Sequence, residues 1–439
     1  MNRAKRQNGA VGVGVALCLA LLTACDLGGS STGPTPIAVG GSVTPGTAVA
    51  GAATPGKGTG GAGTPTAFVG PTDTVRAATV TPLPKATSAA APTAKRSSGA
   101  QAGQTWRLIG LTGQDLSMVS GSGKLDAPIY AGGIGLYRSD DGGATWTQLD
   151  LPAGTRVSEI AISPAQPQRI FAGSGTDCAK GTPGAQFVSD DGGLSWTKLA
   201  QAPYALQLDA QNADLITAMT CSGVTRSRDG GKTWAALGDP TFLRDPRFSG
   251  YAVSVPASDG SLIYATYHRD NVLSRIRVST DSGKTWGGDE AEYPGVTSLF
   301  VDNRKPQRAW ATSQKGVLNS SDSGQSWVPF NTGLDAAHNT TTNGESGPYQ
   351  LATISGQYNT SGDLIELYIG TYSSADDPGS GIFSSKDLGQ VYSRFGGDLG
   401  GLTIHSLHVG REKGDSSDQV VLYAATDDGI HKLALGTVR

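Results

Sequence analysis

The chain has 439 residues, 63 of them glycine and 23 proline, with 37% hydrophobic and 16% charged residues. Glycine at about twice its usual share, with charge far below the usual ~25%, excludes a coiled coil or helical bundle and points to turn-rich β structure. A net charge of −3 and a pI near 6.0 give no case for a nucleic-acid partner.

Arg3, Lys5 and Arg6 precede an apolar run over 10–20, followed by Leu22-Thr23-Ala24-Cys25. A basic start, a short apolar stretch and small residues before a cut site describe an export signal, too short for a stable membrane span. The segment resembles the signal of bacterial lipoproteins, whose lipobox corresponds to residues 22–25. The resemblance implies that residues 1–24 are a signal peptide and that Cys25, once lipidated, holds the protein to a membrane on its extracytoplasmic side. An ordinary signal peptide with a chance cysteine is the competing reading. Residues 25–104 are rich in Thr, Pro, Gly, Ala and Ser and offer too little apolar surface to offset ordering, so they are expected to form a disordered tether. The first 104 residues hold eight basic and two acidic side chains, whereas the remainder holds 26 and 35. The near-neutral total thus joins a basic leader to an acidic body.

The body is organised by a repeat. Ser139-Asp140-Asp141-Gly142-Gly143-Ala144-Thr145-Trp146 recurs at 189–196, 227–234, 279–286 and 320–327, always as S-x-D-x-G-x-x-W, and 385–392 keeps the pattern with Tyr392 in place of Trp. Such a box suits a strand-to-strand turn. Asp141, Asp191, Asp229, Asp281, Asp322 and Asp387 can accept turn N–H groups, glycine supplies positive φ, and Trp146, Trp196, Trp234, Trp286, Trp327 and Tyr392 can bury a ring as the next strand begins. These residues are read as structural. The last residues of the boxes are spaced by 50, 38, 52, 41 and 65 residues, which implies loops of varied length.

Short strands flank each box: 158–162, 169–173 and 185–188 precede one, and 196–199 follows it. Four strands per unit is the pattern of a propeller blade. The inner and second strands of later blades are expected at 252–255 with 262–266, 297–301 with 308–312, and 350–354 with 365–371. Beyond Tyr392 three strands remain, 404–409, 420–425 and 429–433, with no fourth. Gln104-Thr105-Trp106-Arg107-Leu108-Ile109 reads like the stretch that carries a box tryptophan and the strand after it. We therefore expect an all-β, seven-bladed propeller over 105–435, the N-terminal strand completing the last blade and leaving no free edge.

The boxes resemble the Asp-box, or BNR, repeats of the sialidase-like propeller superfamily over nearly all of the folded chain. That superfamily includes sialidases, xyloglucan-degrading glycosidases, sortilin-type receptor domains and photosystem II assembly factors. A single seven-bladed ring is closest to the photosystem II assembly factor-like and sortilin-like members. A sialidase of this kind carries Arg-Ile-Pro ahead of its first box and an arginine trio. Here Arg107-Leu108-Ile109 stands in that place. The resemblance implies a tethered module that binds a protein or glycan. The alternative is a glycoside hydrolase of exo-sialidase type.

A binding face is expected opposite the boxes, on loops at 174–185, 238–250, 331–348 and 372–380. Arg244, Arg247, His268, Arg269 and Asp270 could gather on one rim and suit an anion or sugar; a surface ion-pair cluster is the competing reading. Glu290, Glu292 and Tyr293 could furnish acid and nucleophile, or be solvated loop residues. Cys178 and Cys221 both follow second strands in adjacent blades, where a disulfide fits the exported compartment; two free thiols are the alternative. No cofactor or metal motif is present, and a monomer is expected.

Overall fold

The computed structural model describes residues 105–152, 154–178, 180–238, 248–257, 259–269, 273–334, 338–340, 346–373, 381–396, 399–414 and 417–437. The signal, Cys25 and the tether lie outside these residues. So do Arg244, Arg247 and Asp270.

Seven four-stranded antiparallel sheets follow one another along the chain. From inner to outer strand, blade 1 runs from Met118–Gly121 to Thr147–Leu149, blade 2 from Glu159–Ile162 to Thr197–Lys198, and blade 3 from Tyr204–Leu208 to Ala235–Ala236. Blade 4 runs from Phe248–Ser254 to Tyr293–Pro294, blade 5 from Ser298–Val301 to Val328–Pro329, and blade 6 from Leu351–Tyr358 to Ser393–Phe395. Blade 7 takes its three inner strands, Ile404–Glu412, Gln419–Thr426 and Gly429–Thr437, from the C-terminus and its outer strand, Arg107–Gly110, from the start of the described chain. Arg107 pairs with Lys432 and Leu108 with His431.

Trp106, next to that strand, sits where a box tryptophan sits. A Cβ on Gly396, just past the outer strand of blade 6, would lie 2.5 Å from Trp106 Nε1. The same contact would be 2.7 Å between Gly110 and Trp146, and 2.9 Å between Gly238 and Trp286.

Apolar packing is divided among seven wedges, one between each pair of neighbouring blades. Alternation along each strand sends odd and even side chains to opposite neighbours: Leu206, Ile216 and Ala218 of blade 3 join blade 2, whereas Met219 and Val224 join blade 4.

Each box is a polar staple across its turn. Ser139 Oγ donates to Asp141 Oδ1 (2.8 Å) and accepts the Gly143 amide (2.8 Å), while Asp141 accepts both the amide (2.8 Å) and the hydroxyl (2.6 Å) of Thr145. The set recurs around Ser189, Ser227, Ser279 and Ser320. Around Ser385 it lacks the hydroxyl contact, because Val391 stands at the threonine position. Two consecutive residues adopt positive φ in every box. Glycine fills both positions in blades 1 to 3, while Ser282, Ser323 and Leu388 take the first in blades 4 to 6.

Several strands are longer than their apolar pattern. The second strand of blade 4 continues to Arg269 rather than ending at Thr266, and the inner strand of blade 7 continues from Val409 to Glu412. In both, polar residues extend the strand because each finds a partner: His268 under Tyr251, Arg269 on Glu292, and Glu412 on Lys432. Part of the expected loop at 331–348 is a two-stranded hairpin, His338–Thr340 with Ser346–Tyr349, anchored where Tyr349 packs beside blade 6.

A disulfide joins Cys178 to Cys221 with Cα atoms 5.4 Å apart, tying the turns after the second strands of blades 2 and 3. Between the same blades the buried Glu159 accepts hydrogen bonds from the Leu206 amide and Gln186 Nε2 (2.9 Å). Burial outweighs both and pushes its carboxyl up to about 8. Gln186 Oε1 is buried without a hydrogen-bond partner.

These groups shape stability through proton linkage. Hydrogen bonds from Thr145, Thr233 and Thr285, then from the box serines, hold Asp141, Asp229 and Asp281 down to about 2, so their contribution is complete above the ordinary range near ~4 and is lost as pH falls toward 2. Burial lowers His268 and His408 to about 4, so theirs is complete above ~6.5 and fades as pH falls through 4. Glu159 has the opposite sign, stabilising below ~4.5 and losing its contribution as pH rises through 8. Melting curves across pH should show a maximum near ~6 with declines on both sides. Glu159→Gln should remove the decline between ~6.5 and 8 and leave the acid limb in place; an unchanged alkaline limb would contradict the assignment.

Candidate functional site

His268 and Arg269 end the second strand of blade 4, on the face opposite the boxes, and the structure joins them to the residues considered for catalysis. Arg269 pairs with Glu292 (2.7 Å), which also pairs with Arg275 (3.0 Å), and Arg277 pairs with Glu290. Arg275 and Arg277, two residues apart on the third strand, share one face of the sheet and both reach carboxylates of the segment that follows the box, a pattern the sequence reading passed over. His268 stacks on Tyr251 with ring centroids 3.6 Å apart, and its Nε2 donates to the Val296 carbonyl (2.9 Å). Tyr293 is buried in the blade 4 and blade 5 wedge, its hydroxyl donating to Asp289 (2.6 Å), and burial raises its pKa. This is an ion-pair ladder stiffening one blade. Glu290, Glu292 and Tyr293, considered as acid and nucleophile or as loop residues, are here each engaged with a partner within blade 4.

Two clefts formed by described residues open on the other face, the one carrying the boxes and the turns between inner and second strands. The larger, about 230 Å³, lies where blade 1 meets blade 7, between the turn at 122–128, the box glycine Gly142 and the end of the strand Ile404–Glu412. Leu125 bridges Arg411, and the Lys413 amide donates to Asp126 (2.8 Å), so the seam of ring closure forms the floor of the cleft.

Its functional groups come from three neighbouring strands. Glu412 accepts a short hydrogen bond from the Tyr423 hydroxyl and pairs with Lys432 (2.5 Å), which also donates to the Gly142 carbonyl (3.1 Å). Tyr423 and His408 lie nearly parallel, with centroids 6.2 Å apart, and Gly121 leaves the space that the imidazole fills. Burial keeps His408 neutral at ordinary pH and, with the Glu412 hydrogen bond, raises the Tyr423 hydroxyl. Asp140 is held by Arg138 (2.6 Å) and Asp141 by its own turn.

Hydrolysis of a glycoside usually calls for two carboxylates free to exchange roles as acid and base or nucleophile. In this cleft Glu412, Asp126, Asp140 and Asp141 each have a partner in the fold. The arrangement suits hydrogen bonding to a neutral polar ligand, with an imidazole and a phenol ring as apolar wall. The sequence reading missed this cleft because it searched the opposite face.

No protein-family model matches the chain. It is 29% identical over 202 residues to a probable oligoxyloglucan-reducing end-specific xyloglucanase of Neosartorya fischeri, covering 42% of this chain and 23% of the relative. It is 30% identical over 158 residues to the photosystem II assembly lipoprotein Ycf48 of a Synechococcus species, covering 34% of this chain and 44% of the relative. The matched segments thus span less than half of either curated relative. Among solved structures, the GH74 xyloglucanase of Xanthomonas campestris superposes with a TM-score of 0.54 over 74% of this chain and 53% of its own, at 14% identity, a likeness of fold. The chain is therefore a seven-bladed β-propeller similar to both an assembly lipoprotein and to xyloglucanases.

The blade 4 ladder makes a direct prediction. Glu292→Ala leaves Arg269 and Arg275 facing each other and should cost about 1–3 kcal/mol in denaturant unfolding, whereas Glu290→Ala, at a side chain 73% exposed, should change stability by less than ~0.5 kcal/mol. Equal effects at the two positions would contradict the ladder.

Proposed function

We propose that this protein is a membrane-tethered, extracytoplasmic lipoprotein of the Asp-box propeller superfamily, whose ring is a binding module for a protein or glycan. The observation that carries the reading is the blade 1 and blade 7 cleft, in which Glu412, Tyr423, Lys432 and His408 form a satisfied polar network with an aromatic wall. A preorganised network of this kind loses little freedom when a ligand docks. The lipobox-like residues 22–25 and the long tether would hold such a module within reach of a membrane while leaving it free to turn. Similarity to Ycf48, a lipoprotein by its name, supports the same arrangement.

Similarity to xyloglucanases supports a second reading, a glycoside hydrolase on extracellular glycans. In that case Glu412 would have to part from Lys432 when substrate enters.

Calorimetry with xyloglucan oligosaccharides, sialosides and short unstructured peptides, run beside an assay for released reducing ends, separates the readings. Binding without turnover, weakened about tenfold or more by His408→Ala, is the expected result. Turnover abolished by Glu412→Gln would establish the hydrolase.

A further inference from the structure

Near the box face, the second and third strands of each blade direct one opposed pair of side chains toward the next blade. The pairs are Tyr130 with Arg138, Phe171 with Val188, Thr217 with Arg226, Tyr264 with Val278, Trp310 with Asn319, Tyr368 with Ser384, and Tyr423 with Lys432. Six of the seven second strands place an aromatic ring in this row. Blade 3 places Thr217. Interiors are packed to high density, so a ring replaced by a threonine leaves space unless neighbours collapse into it. A cavity of about 50 Å³ adjoins this position, bounded by Gln207, Asp209, Thr217 and Arg226 of blade 3, Ser254 of blade 4 and Phe300 of blade 5.

The third-strand position of the row is basic in three blades, and two of those cations are balanced. Arg138 pairs with Asp140 (2.6 Å) and donates to the Gly192 carbonyl (2.7 Å). Lys432 pairs with Glu412 (2.5 Å) and donates to the Gly142 carbonyl (3.1 Å). Arg226 is 7% exposed and donates from Nε to Thr217 Oγ1 (3.0 Å), yet it forms no ion pair with a described carboxylate. The residue at the place of Asp140, two beyond the row, is Arg228, a like charge. Asp209 acts on the guanidinium from farther away, its Oδ1 accepting the Gln211 and Asn212 amides. A buried cation with no carboxylate in direct contact is costly, and here an open cavity adjoins it.

We propose that this cavity beside blade 3 is a carboxylate-binding site, in which Arg226 supplies the charge and Thr217 and Gln207 line the walls. The volume holds a carboxylate head and excludes a sugar ring. The row thereby takes from a ligand the negative charge that Asp140 and Glu412 supply from within the chain. The site is separate from the blade 1 and blade 7 cleft, so its failure leaves the binding reading above untouched.

The test uses acetate as probe, with acetamide as its neutral isostere and sodium chloride at equal ionic strength as reference. Acetate at about 100 mM should raise the melting temperature of the full chain relative to chloride, and acetamide should not, since a ligand specific for the folded state stabilises it by mass action. Arg226→Met should lose the acetate response. Arg228→Asp, which recreates the internal pair of blade 1, should raise the melting temperature in chloride and also lose the response; it decides the matter if Arg226→Met does not fold. An acetate shift equal to that of chloride, or one that persists in Arg228→Asp, would overturn the proposal.

Discussion

The pairing of Arg107–Gly110 with Gly429–Thr437 is the constraint on which the rest of the ring depends. A propeller divides its apolar packing among wedges, so each blade is stable only between two neighbours. Seven wedges around seven blades require that the last blade meet the first. Borrowing the outer strand from the other end of the chain completes blade 7 with backbone hydrogen bonds and covers an edge that would otherwise be open to pairing with another chain. Trp106, lodged beside Gly396, extends the same lock into the wedge between blades 6 and 7. The larger cleft lies along this seam, with Glu412 and Lys432 contributed by one side and Gly142 by the other.

Repetition supplies the stability, and departures from it supply the chemistry. The box turn is built from hydrogen bonds between a serine, an aspartate and the residue before the tryptophan, and it is repeated with little change on six hairpins. Against that regular frame the row beneath it varies. Phe171 and Val188 are wholly apolar, Tyr130 and Arg138 carry an internally balanced charge, and Thr217 and Arg226 leave both a void and an unbalanced cation.

The blade count and ring closure were legible in the sequence because the box is local: a serine and an aspartate two residues apart, glycine two further on, and a tryptophan three beyond encode one turn without reference to the rest of the chain. The preference for Thr or Ser just before the tryptophan was equally visible, and its role as second donor to the aspartate could have been read. Strand ends were not legible where polar side chains continue a strand, because His268, Arg269 and Glu412 look like loop residues until Tyr251, Glu292 and Lys432 are brought beside them. Glu159 meets Gln186 and Leu206 across two blades, a contact no local pattern predicts. The clefts are not visible in the sequence because each is assembled from separate blades on the face that bears the short regular turns, one from blades 3 to 5 and the other from blades 7 and 1.

Closure by the N-terminal strand is tested most directly by comparing the thermal unfolding of two truncated chains, one beginning at residue 105 and one at residue 111. The account predicts that the first melts cooperatively and remains monomeric, whereas the second, deprived of Trp106 and Arg107–Gly110, melts at a much lower temperature and associates through the exposed Gly429–Thr437 strand. Two chains with the same melting temperature and the same monomeric state would contradict it.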